Sequence, residues 1–128
     1  MSRITIAPIL LLAGVLAGIP LGVALSQAKP QLRVETLLER VVTGIPQPTS
    51  LRVHDDRWDP GAETTHHQHP GPVILAVIEG ELVEVTAAGE TILRAGQVHW
   101  RQANEMHNVK NLSAKPARVL AIHFEPAQ

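Results

Sequence analysis

The stretch from Thr65 to Glu81, THHQHPGPVILAVIEGE, sets a histidine tract directly against an unbroken apolar run that a glycine stops. Val73 to Ile78 is rich in β-branched residues and reads as a strand buried on both faces of a closed barrel. In a strand, residues two apart share a face, so His67 and His69 project together while His66 and Gln68 point the other way. Strand rise places the pair roughly 6–7 Å apart at the backbone, close enough to converge on one ion. Imidazole suits zinc, iron, nickel or copper, and a third ligand must come from elsewhere in the chain. His99 and His107 are the distant candidates. A surface tract would leave the same histidines inert. Here, however, the tract follows Asp59-Pro60-Gly61 and leads into a buried strand, where a barrel rim begins and side chains turn into a pocket.

Working outward, short strand patterns recur between Gly, Pro and Asn. Leu51 and Val53 alternate with Arg52 and His54 before a turn-rich DDRWDPGAE. Glu81 to Thr86 alternates, Ala88-Gly89 reads as a hairpin turn, and Thr91 to Arg94 returns. Gln97 to Arg101, Met106 to Asn111 and Arg118 to Phe124 complete the set. This spacing indicates an all-β barrel or sandwich.

Two glycine–histidine patterns make the reading specific. Gly61, five residues, His67-X-His69-Pro70, and then Gly80 within VIEGE form the first; Gly96, ten residues, His107, three residues and Asn111 form the second. Together they resemble the two motifs of the cupin superfamily, in order and separation, and the chain is similar to small single-domain cupins. The resemblance implies a double-stranded β-helix, a jelly-roll-like barrel, with His67, His69 and His107 as metal ligands. It also implies a homodimer formed through the outer sheet and an N-terminal arm. Three departures stand out: the family's metal-binding glutamate is Val73 here, and the second motif's proline and second glycine are Gln102 and Asn104. Three neutral imidazoles without the acid still leave open positions for water or substrate. They favour zinc, iron, nickel or copper over a hard cation such as manganese. Asn104 tolerates the positive φ that a glycine would supply.

Of the remaining polar residues, Asn111 shares the parity of His107 and is placed to hydrogen-bond near the site or to cap a turn. His99 and Arg101 flank Trp100; facing inward they would act as general acid/base and as an anchor for an anionic substrate. Period alone does not fix their side, and an outer-face polar pair is the reading adopted. His123 alternates with Leu120, Ile122 and Phe124, which puts it on the surface or on a dimer face. Trp58 is expected to pack at the barrel mouth.

The 128 residues leave room for one domain. Ile4 to Leu25 is uncharged and almost wholly apolar, Arg3 precedes it, and Ser26 and Ala28 follow, the order of a secretory signal peptide. The alternative is an uncleaved anchor, although Pro8, Pro20 and three glycines weaken a permanent helix. The division expected is 1–28 signal or anchor, 29–48 arm and 49–128 barrel, with the folded part periplasmic or secreted. An exported chain with no cysteine relies on packing, strand closure or metal. Net charge is -1 with no basic cluster, so nucleic acid and anionic membrane surfaces are excluded as partners. No nucleophile motif or phosphate loop is present. A small molecule is the expected partner. The functions in play are a dioxygenase-like or isomerising metal enzyme, a non-catalytic barrel that senses or binds a small ligand or metal, and a barrel without a live site.

Overall fold

Among the described residues, seven strands account for the regular structure: β1 Thr49–Trp58, β2 Val73–Glu79, β3 Glu81–Thr86, β4 Gly89–Arg94, β5 Val98–Arg101, β6 His107–Lys110 and β7 Ala117–Pro126. They come from a computed structural model that describes residues 29–128, and the expected signal segment lies outside the described residues. The chain divides into Met1–Arg33 and Val34–Gln128, and all seven strands belong to the second unit. A four-stranded sheet in the order β1-β7-β2-β5 faces a three-stranded sheet in the order β4-β3-β6. Every pairing is antiparallel.

The core lies between the sheets. β2 contributes Val73, Leu75 and Val77, β7 contributes Ala117, Val119 and Ala121, and the smaller sheet adds Leu82, Leu93 and Val109. Only one face of each strand meets this core, as two packed sheets require. β2 is therefore buried on its inner face and half-exposed on its outer one, not buried on both as its apolar run suggested. The alanines of β7 keep that wall thin and leave an internal space.

Two local features differ from expectation. The DDRW segment continues β1 instead of turning, because β1 pairs with β7 along its whole length. Arg118 donates from Nε and Nη2 to the Asp55 carboxylate, at 2.8 and 3.2 Å, so these charges sit on the outer face without interrupting the strand. The hairpin loop is Ala87-Ala88, with Gly89 already paired to Thr86. Asn104 does adopt positive φ, at 59°. At Gly71 the backbone approaches β7 so closely that a Cβ would fall 1.6 Å from the Phe124 carbonyl oxygen, which only glycine avoids. This close crossing locks the histidine tract against the start of β2. The arm has no regular secondary structure between residues 34 and 46, and Arg40 lies over the Trp100 ring, 5.1 Å from its centroid.

Candidate metal centre

The histidine tract is held by β6. His67 and His107 are directly opposed in an antiparallel bridge, each donating its N–H to the other's carbonyl at 2.9 Å. Opposed residues share a face, so the two imidazoles turn inward side by side, with ring centroids 4.3 Å apart. Further back, Glu63 opposes Lys110, so four residues on one side span three on the other. That extra residue is a bulge, and it re-aims the tract toward the interior. His69 follows two residues on with the same facing; its carbonyl accepts the Asn104 N–H at 2.7 Å, so the Asn104 turn pins it.

One donor atom from each of His67, His69 and His107 lies within 4.8 Å of the others. The ring protons are positioned as well. His67 Nδ1 sits 2.8 Å from the Thr65 carbonyl and His107 Nδ1 sits 2.7 Å from the Glu105 carbonyl. A carbonyl can only accept, so both rings carry a proton on Nδ1, which leaves Nε2 as the nitrogen available to ligate. His107 is fully buried, yet its Nε2 has no protein partner among the described residues. A buried unpartnered acceptor beside two further imidazoles fits a cation as the missing partner. The electrostatics agree: burial, then the neighbouring His123, His67, His107 and Arg101, push His69 down to about 4. Burial also lowers the pKa of His107. Both shifts favour the neutral form of His69 and His107 that metal ligation demands.

These imidazoles form part of the wall of a cavity of about 220 Å³, otherwise lined largely by Val73, Leu75, Leu82, Leu93, Val109 and Val119. Arg101 also lines it, correcting the outer-face reading: in register it opposes Val73, an inward residue. It is 5% exposed and donates from Nε to Glu84 Oε1 at 2.6 Å. Its Nη2 lies beside the same oxygen without an aligned hydrogen bond. His99 opposes Leu75 on that same face but does not reach the cavity; it borders a shallow groove with Glu35 to Leu37 of the arm. Trp58 lines the cavity and packs against the core, as expected.

Asn111 does not reach the site. Its amide donates to the carbonyls of Trp58, Asp59 and Lys115, and its oxygen accepts from Ser113, so it ties loops together beneath β6. Sequence reasoning missed His123. Far from being on the surface, it is 6% exposed and lines the cavity. Its ring lies 4.8 Å from that of His69. Its partner in register is Val73, so the phase of β7 comes from pairing and not from the apolarity of Leu120, Ile122 and Phe124.

Comparison with known proteins agrees with this architecture. The Cupin domain family profile matches residues 56–123, which include both motifs. A curated relative, the beta-alanine degradation protein BauB of Pseudomonas aeruginosa, is 41% identical over 61 residues. That match covers 45% of this chain and 64% of the relative, so the chain spans less than two thirds of its length. A solved cupin domain from Bordetella pertussis is 27% identical with a TM-score of 0.52, covering 59% of this chain and 81% of that one. A sugar phosphate isomerase of the cupin superfamily from Silicibacter pomeroyi is 26% identical with a TM-score of 0.53, covering 59% and 50%. With its two sheets, its converging motif histidines and a family match over more than half its length, the chain belongs to the cupin family.

Proposed function

We propose that this chain is an exported metal-dependent enzyme acting on a small carboxylate-bearing molecule, with dioxygenase-like or isomerising chemistry. The observation that carries the reading is the fully buried, unpartnered Nε2 of His107, set beside two more imidazoles at the wall of an apolar cavity. A zinc, iron, nickel or copper ion held by His67, His69 and His107 would supply a Lewis acid or redox centre with coordination positions left open. The chain's own residues do the rest. Apolar walls exclude water, which strengthens every polar contact inside. Arg101, already fixed by Glu84, presents its guanidinium toward the cavity and would orient a carboxylate. The volume of about 220 Å³ lies below the usual range for drug-sized ligands and restricts the substrate to roughly ten heavy atoms. The relative named for beta-alanine degradation and the isomerase neighbour support the substrate size and the chemistry.

Export is supported by the apolar residues 4–25 and the small residues behind them. A homodimer is supported by the outer face of the larger sheet, where Leu51 and Val53 are 61% and 59% exposed beside Phe124 and Ile122.

The test is metal analysis of the tag-free mature chain, followed by oxygen uptake and product assays over a panel of small carboxylates. Wild type should carry one tightly held ion and turn over one of the panel. His67→Ala and His107→Ala should weaken the ion at least tenfold and abolish turnover. Tight ligand binding without turnover would leave a non-catalytic binding barrel. A metal-free wild type whose Tm does not move on adding zinc, iron, nickel or copper would overturn the proposal.

A further inference from the structure

A second set of donors stands beside the first. On β7, His123 and Glu125 are two residues apart and share a facing. Glu125 Oε1 lies 3.8 Å from His123 Nδ1 and 3.9 Å from His69 Nδ1. Neither separation is a hydrogen bond. Both suit donors on either side of one ion: bonds of about 2.1 Å at a tetrahedral angle hold neighbouring donors about 3.4 Å apart, a few tenths of an ångström closer. Arg52 holds Glu125 through its other oxygen, Oε2, which leaves Oε1 for the imidazoles. The rings of His69 and His123 meet edge to face at 72°.

Two independent observations point to a ligand here. His123 is buried, and its Nδ1 has no hydrogen-bond partner among the described residues. A polar atom left so is destabilising unless something occupies the position it faces. Val73, the position that lacks the expected carboxylate, is also the cross-strand neighbour of His123. The donors absent from β2 are thus present one strand over, on β7.

We infer that His69, His123 and Glu125 form a second seat for a divalent cation, with two imidazoles and one carboxylate, the donor set that suits zinc, cobalt or iron. It shares His69 with the first set but not His67 or His107. A neutral imidazole has one lone pair, so His69 serves one ion at a time and the two seats compete for it. The inference does not depend on the enzymatic reading, since it concerns binding alone.

The experiment is cobalt(II) titration of the tag-free His67→Asn/His107→Asn variant, followed by visible absorption and dialysis stoichiometry. Asparagine is chosen because its amide nitrogen can keep the hydrogen bonds to Thr65 and Glu105 while the inward Nε2 is removed, so the fold is retained; circular dichroism checks this. The variant should bind one cobalt per chain, at least tenfold more weakly than wild type. Adding Glu125→Gln should weaken it by a further tenfold or more. Glu125→Gln alone should leave the affinity of the first set within threefold of wild type. If the double variant binds no cobalt while wild type does, the second seat is refuted and Glu125 only aligns His69. Binding by the double variant that is indifferent to Glu125→Gln refutes it equally. Failure of wild type itself to bind overturns both seats, since it carries both sets; cobalt held equally tightly by wild type and the double variant would overturn the first centre alone.

Discussion

Restoring the carboxylate at the position where this chain departs from its family puts the cavity's electrostatics to a direct test. Val73 is fully buried and lies, in register, between Arg101 on β5 and His123 on β7. Val73→Glu removes an apolar side chain whose burial contributes about 1.5–3 kcal/mol. It also places a charge where desolvation costs several kcal/mol. Arg101 on one side and an imidazole on the other offset part of this. Without metal, the expected net loss is about 3 kcal/mol, which lowers the Tm of a domain this size by on the order of 15 °C. With metal the balance changes. The new carboxylate completes an acid-bearing donor set, and an ion at a hundredfold excess over its Kd returns about 2.7 kcal/mol. Carboxylate oxygen favours hard cations, so manganese affinity should rise at least tenfold over wild type while zinc affinity moves less. Calorimetric melts of both proteins in chelator, manganese and zinc read all of this. A variant that melts like wild type in chelator would show that residue 73 does not face the cavity. Equal manganese shifts in both proteins would refute the donor-set argument.

Three further outcomes rest on particular contacts. The metal-free protein should lose stability as pH falls from 6.5 toward 4. The unfolded chain protonates its imidazole near 6.5, while burial, then the neighbouring His123, His67, His107 and Arg101, hold folded His69 down to about 4. The unfolded state therefore binds more protons throughout that window, and the loss levels off below it, on the order of 2–3 kcal/mol; urea titrations with no change between pH 7 and pH 4.5 would contradict this. Glu84→Gln strands the buried Arg101 guanidinium and should cost about 3–5 kcal/mol in urea unfolding, with a loss under 1 kcal/mol refuting the ion pair's structural role. Asn111→Ala removes bonds to the carbonyls of Trp58, Asp59 and Lys115 and to Ser113, and should cost about 3 kcal/mol while leaving metal affinity unchanged in calorimetric titration; a tenfold loss of affinity would instead tie Asn111 to the site.

Local punctuation and the motif histidines were legible in the sequence. β3 was read with its observed ends, because alternation and flanking glycine are local signals. His67, His69 and His107 converge as expected, since period two settles which neighbours share a face. Pairing was not legible. β1 runs on through Asp55 to Trp58 only because β7 lies beside it, and no local signal in DDRW announces that. The inward turn of Arg101 depends on its opposing Val73, and the loop-tying role of Asn111 depends on carbonyls some fifty residues away in the chain. Such facts are long-range, and periodicity gives a strand's alternation without giving its phase.

Strand β7 inverts the usual rule for phase. In a half-buried strand the apolar residues are assigned to the core and the polar ones to water. In β7 the inner face carries Ala117, Val119, Ala121 and His123, and the outer face carries Leu120, Ile122 and Phe124. The inner residues are small or polar because that face bounds a cavity, where bulk would fill the space and an imidazole has neighbours to meet. The outer residues are large and apolar, and continue into exposed Leu51 and Val53 on β1, which a strand facing only water would not need. The two halves have separate sources: the inner face bounds a cavity, and the outer face continues an apolar surface across β1. The same inversion that concealed His123 from a sequence reading therefore marks β7 as part of the cavity wall.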